Sequence, residues 1–119
     1  MTLRDCCEQM GGEYNEAISR LMNDKLIEKF IQKFLLDPSF GELKEAIENN
    51  DGEKAFIGVH TLKGVSANLA CTILALSSSI LTEALRNTNG VLPESALPLF
   101  KSVEDDYYIA IETIQSYFA

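Results

Sequence analysis

The chain has 119 residues, 46% of them hydrophobic and 24% charged, with a formal net charge of −8. That length supports one domain with a real core, and the acidic balance opposes nucleic acid as a partner because it repels phosphate backbones. No apolar run is long enough to span a membrane. Met1 to Asp5 lacks the basic-then-apolar pattern of a signal peptide, so the expected location is the cytoplasm. The odd set Cys6, Cys7 and Cys71, two of them adjacent, is no disulfide framework and reads as reduced thiols.

Almost every segment carries helical periodicity, and no repeat or linker divides the chain. Thr2 is placed to cap a short helix through Met10 that ends at Gly11-Gly12. Glu13 to Met22 reads as a second helix, which Asn23 either restarts or only interrupts. Leu26, Ile27, Phe30, Ile31, Phe34 and Leu35 follow at helical spacing. Asp37-Pro38 suggests an N-cap with proline at the first helical position, ahead of the stripe Phe40, Leu43, Ala46 and Ile47. Asn49 to Gly52 is a turn cluster. The next helix has Ala55, Val59, Leu62, Ser66 and Leu69 as its inward stripe. Thr72 is a candidate cap for a helix through Leu85, Asn87 to Gly90 is a break, and a last helix starts near Pro93 or Pro98 and runs to Phe118. The expected fold is all-α: a single domain over residues 1–119, an antiparallel four-helix bundle with one or two short extra N-terminal helices.

The segment His60-Thr61-Leu62-Lys63-Gly64 holds the only histidine. On a helix, positions i, i+3 and i+4 share a face, so imidazole, ammonium and bare backbone meet on one surface. Glycine inside a helix costs about 1 kcal/mol relative to alanine. That cost beside the sole histidine points to something that must approach it closely. On a helical wheel His60 falls well off the inward stripe, with Glu53, Phe56, Lys63, Gly64, Ala67 and Cys71 on its strip. A neutral imidazole is a nucleophile at cellular pH. Once phosphorylated it bears a dianion that an ammonium at i+3 would steady. Taken singly, a helical histidine, a surface lysine and a helical glycine each have bland readings; their conjunction on an outward face is what raises the functional one.

His60 to Leu69, His-Thr-Leu-Lys-Gly-Val-Ser-Ala-Asn-Leu, resembles the signature of the histidine phosphotransfer (HPt) domain of two-component phosphorelays, His-x-x-Lys-Gly followed by an Asn-Leu pair. Looser likenesses lie at Gly11-Gly12, at Phe34-Leu35 and in the turn from Asn49 to Gly52. The chain departs where the family often has Gly-Ala after Asn-Leu, since Ala70-Cys71 stands here, and where alanine often precedes the histidine, since Val59 stands here. The resemblance implies that His60 is the phosphoacceptor through Nε2, that Lys63 steadies the phosphoryl group and that Gly64 makes room for the partner. It implies a carrier and no autonomous enzyme. The phosphoryl group would come from a receiver-domain aspartate and pass to another response regulator receiver, with a (hybrid) sensor histidine kinase upstream and Mg²⁺ held by the receiver domain. The chain itself needs no cofactor or metal in this reading.

The partner face would centre on His60 with Phe56, Ala67 and Cys71, bordered by Leu3, Cys7 and Met10 unless these only pack on the bundle. A core completed within one chain suggests a monomer. Two other readings compete: a non-phosphorylated helical adaptor, and a metal or redox site built from Cys6, Cys7 and His60, for which vicinal cysteines have poor chelating geometry.

Overall fold

Thr2 and Asp5 open the structure with a capping box. The Asp5 N–H donates to the Thr2 hydroxyl at 3.1 Å and the Thr2 N–H donates to the Asp5 carboxylate at 3.0 Å. The computed structural model describes residues 1–119 and contains seven helices and no strand. They are α1 (Leu3–Gln9), α2 (Tyr14–Leu21), α3 (Asp24–Phe34), α4 (Ser39–Glu48), α5 (Gly52–Asn68), α6 (Thr72–Leu85) and α7 (Ala96–Phe118). No helix is long and apolar enough to cross a membrane.

Asn23 restarts the chain as a true cap, its side chain accepting the Leu26 N–H at 2.9 Å, so α2 and α3 are separate. Three helices therefore precede α4: the two short pieces α1 and α2, and the longer α3 of 11 residues. Asp51 caps α5 in the same way through the Lys54 N–H at 3.0 Å. Asp37 accepts the Ser39 N–H at 2.9 Å, and the helix starts one residue later than the Asp-Pro pair suggests. Thr72 is not a cap: it is the first residue of α6, and its hydroxyl turns back to the Ala70 carbonyl at 3.4 Å. The last helix begins at Ala96, between the two candidate prolines.

Three-residue links at 49–51 and 69–71 make the chain double back between α4 and α5 and between α5 and α6, and each pair packs closely. Gly58 permits the first approach, since a Cβ there would stand 3.1 Å from the Leu43 backbone. A longer link leads to α7, which packs on α6 and α1. Aromatic rings tie α4 and α3 to α7: Phe40 stacks on Tyr107 at 4.0 Å and Phe34 meets the same ring edge-on at 5.8 Å. One cluster of 26 buried apolar residues runs through all seven helices, so no element stands apart from the core.

The end of α1 locks onto the α5–α6 turn. The Ile73 N–H donates to the Gly11 carbonyl at 2.9 Å, and the Cys71 thiol donates to the Met10 carbonyl at 3.2 Å. Gly12 admits no side chain, because its Cβ would fall 2.2 Å from the Ala70 carbonyl oxygen. Ala70 itself has φ +55°, a left-handed conformation that glycine adopts without strain and alanine does not. The exit from α5 is thus made by a strained alanine held under α1.

Candidate functional site

The two faces of α5 separate sharply. Ala55, Gly58, Val59, Leu62 and Ser66 are buried, and the Ser66 hydroxyl is satisfied by the Leu62 carbonyl at 2.7 Å. Val59 is fully buried. His60, Thr61, Gly64 and Asn68 are exposed. The inward stripe expected from periodicity is the one observed, and His60 stands outside it.

The His60 ring leans on Phe56 one turn earlier, with centroids 5.7 Å apart and planes inclined by 59°. No hydrogen bond or ion pair engages the imidazole. Lys63 is half-buried and has no carboxylate within 4.0 Å. Around Gly64 nothing lies within 4 Å of where a Cβ would be, so the fold does not require glycine there. What a missing side chain supplies at this position is a stretch of helix backbone open to an approaching molecule.

Five of the six sequence-expected site residues therefore lie on the outer side of α5: Phe56, His60, Lys63, Gly64 and Ala67. Cys71 does not. It is fully buried, bonded to Met10, and its thiol is pushed up to about 12, mainly by burial. The reason is local: α5 ends at Asn68, so a wheel extended to residue 71 points the wrong way. Leu3, Cys7 and Met10 are also buried and pack on the core; they do not border a surface. Burial also drives the Cys6 thiol up to about 11 and raises that of Cys7, so these groups are poor thiolates. No group of three or more His, Cys, Asp or Glu side chains is placed to hold a metal ion.

Two residues that sequence reasoning passed over come from α6 and its end. Glu83 and Arg86 form a two-pronged ion pair at 3.2 and 3.1 Å. The Arg86 guanidinium lies over Phe56, 5.3 Å from the ring centre. Arg86 holds the Glu83 carboxyl below the usual carboxylate range, first by hydrogen bonding and then by charge, with smaller pulls from Lys63 and His60. The site is thus a chain of contacts: Glu83 to Arg86, Arg86 to Phe56, Phe56 to His60. Counting outward from the α5–α6 turn would have found them. A tight antiparallel link pairs residues about equally distant from it, which sets 80–86 beside 54–60.

Comparisons with protein-family models, with curated proteins and with solved structures give no match for this chain.

Chemically, the arrangement presents an unengaged imidazole in solvent, with an unpaired ammonium one turn on and open backbone beside it. The nearby carboxylate is already committed to a guanidinium. Such a group can act as a nucleophile toward a molecule brought to it.

Proposed function

We propose that this chain is a histidine-containing phosphotransfer protein of the HPt kind. It would accept a phosphoryl group on His60 from a receiver-domain aspartate and pass it to another receiver. The observation that carries the reading is the open backbone at Gly64 beside an exposed, unengaged His60. Nothing inside the fold needs glycine at that point, and a helix gives up about 1 kcal/mol to have it. A docking partner is the natural user of that space.

On this chain's side, the transfer would use groups of α5 alone. Neutral imidazole with its proton on Nδ1 offers the Nε2 lone pair to phosphorus. The N–P bond forms as the acyl-phosphate O–P bond breaks, and the partner's aspartate carboxylate leaves. Lys63, three residues on along the same helix, would offset the charge of the phosphoryl oxygens. Mg²⁺ belongs to the receiver domain in this scheme, and a sensor histidine kinase stands upstream. The architecture that fits is an antiparallel four-helix bundle of α4 to α7 with α1 to α3 packed on it, working as a cytoplasmic monomer.

The test is to phosphorylate a panel of receiver domains with radiolabelled phosphate and mix each with this protein. Acid-labile, base-stable label is expected on the wild type and none on His60→Gln. Equal labelling of the variant, or no labelling from any receiver, overturns the proposal and leaves a binding-only adaptor as the better reading.

A further inference from the structure

The exposed side of α3 carries Lys25, Lys29 and Lys33 at intervals of four, one row along the helix. None has a carboxylate within 4.0 Å. This is unexpected in a chain of net charge −8. The two carboxylates of α3 itself are turned elsewhere: Asp24 accepts the Tyr14 hydroxyl, and Glu28 accepts the Tyr117 hydroxyl at 3.2 Å. Like charges at this spacing repel, and none of the three lysines is in an ion pair.

The row runs into a groove of about 570 Å³ between α3 and α5. Lys33, Arg20 and Phe30 stand on one side, Val65 and Asn68 on the other. Two carboxylates also belong to this neighbourhood. Glu16 pairs with Arg20 at 3.1 Å, and Asp37 in the groove wall is engaged by the Ser39 N–H. The Lys33 ammonium lies 5.6 Å from the centre of the Phe30 ring and is otherwise free. Asn68 is two turns beyond His60 on the same side of α5, about 12 Å along the axis. A partner of ordinary footprint, about 800 Å² per side, covers both.

We infer that the Lys25–Lys29–Lys33 row and the groove it enters form the docking surface for a partner protein whose binding face carries clustered carboxylates, and that this surface steers the partner onto His60. The inference rests on the phosphotransfer reading. Three ammonium groups with no carboxylate within 4.0 Å are complementary to carboxylates on the face of the partner that must reach His60. The groove's mixture of cations with an aromatic ring suits a protein face. The net negative charge of the whole molecule works against long polyanions and anionic membranes, whose fields reach beyond one row of lysines.

The experiment measures association of receiver domains with the unphosphorylatable His60→Gln protein by stopped flow, at low salt and at about 0.3 M salt. It compares that protein with versions also carrying Lys29→Glu/Lys33→Glu or the charge-matched pair Lys54→Glu/Lys101→Glu, each checked for helicity. The expected result is an on-rate lowered about tenfold or more at low salt by the first pair only, with the salt dependence largely lost. If association is equal in both pairs while wild type still takes label on His60, the docking surface is overturned and the phosphotransfer reading stands. If association depends on the α3 lysines but His60 takes no label, the surface stands and the phosphotransfer reading falls. No association with any receiver, or lysine-dependent binding to a DNA duplex or phosphatidylserine vesicles instead, overturns the inference.

Discussion

The Arg86 guanidinium rests over the Phe56 ring at 5.3 Å, and its grip on Glu83 holds it there. Because that pairing keeps the Glu83 carboxyl below the usual carboxylate range, the ion pair is fully present above the ordinary glutamate pKa. It is lost as pH falls through the depressed value. A carboxyl-carbon NMR titration should show Glu83 protonating below an ordinary glutamate, with the Phe56 ring protons shifting over the same range. Arg86→Ala should return the midpoint toward the ordinary value; an unmoved midpoint would refute the contact as the cause.

Gly64 and Gly41 make a matched pair, since a Cβ at either meets nothing within 4 Å. Both lie in helices, α5 and α4, so each alanine variant should be more stable, by up to about 1 kcal/mol in a urea melt. Only Gly64→Ala should slow phosphotransfer, by about tenfold or more, if a partner packs against that backbone. Equal transfer rates for wild type and both variants would remove Gly64 from the docking face.

Lys63 has no ion-pair partner to lose, so Lys63→Ala should change stability by less than about 0.5 kcal/mol. A charge-assisted hydrogen bond to a phosphoryl oxygen is worth about 1.5–3 kcal/mol. Transfer to the variant should therefore fall about tenfold to a hundredfold in single-turnover assays. An unchanged rate with an unchanged fold would exclude the lysine from the reaction.

At Gly12 the opposite behaviour is expected from the same substitution. A Cβ there would lie 2.2 Å from the Ala70 carbonyl and 3.2 Å from that of Cys7, and both contacts are backbone. Gly12→Ala should cost about 2 kcal/mol or more and loosen α1 from the α5–α6 turn. Hydrogen exchange at the Ile73 amide, which donates to Gly11, reports this directly.

Thiol titration tests the placement of Cys71. Its pKa is raised from 9.0 to about 12 by burial, so the native protein at pH 8 should show no rapid reaction of this group with a disulfide reagent, and unfolding should release it. The folded state retains the proton over a range where the unfolded chain has lost it. The associated stability is therefore full below about pH 9 and declines toward pH 12. A Cys71→Ser variant that keeps the same alkaline decline would assign the effect elsewhere, Cys6 being the next candidate with its thiol at about 11.

Much of this was legible residue by residue. The Thr2 cap, the break at Gly11-Gly12, the turn before α5 and the outward position of His60 all follow from contacts within a few residues of chain, where spacing and geometry are the same thing. Reading failed where a local rule was carried past its support. The wheel of α5 does not hold at Cys71, beyond the end of the helix at Asn68, and the candidate cap Thr72 lies already inside α6. Glu83 and Arg86 went unnoticed for a different reason. They lie more than twenty residues from His60 and reach it only because α6 folds back along α5.

The sequence by itself determined that the molecule is helical, where most of its helices start and stop, and which side of α5 holds the histidine. These are consequences of periodicity and capping, which act over one or two turns. The tertiary structure alone decided what meets that side. It set Arg86 over Phe56, drew Cys71 under α1, and turned Asp24 and Glu28 toward tyrosines so that three lysines were left without carboxylates. Whether a charge is paired or a thiol is buried depends on neighbours supplied by other helices, and those neighbours are chosen by how the whole core packs.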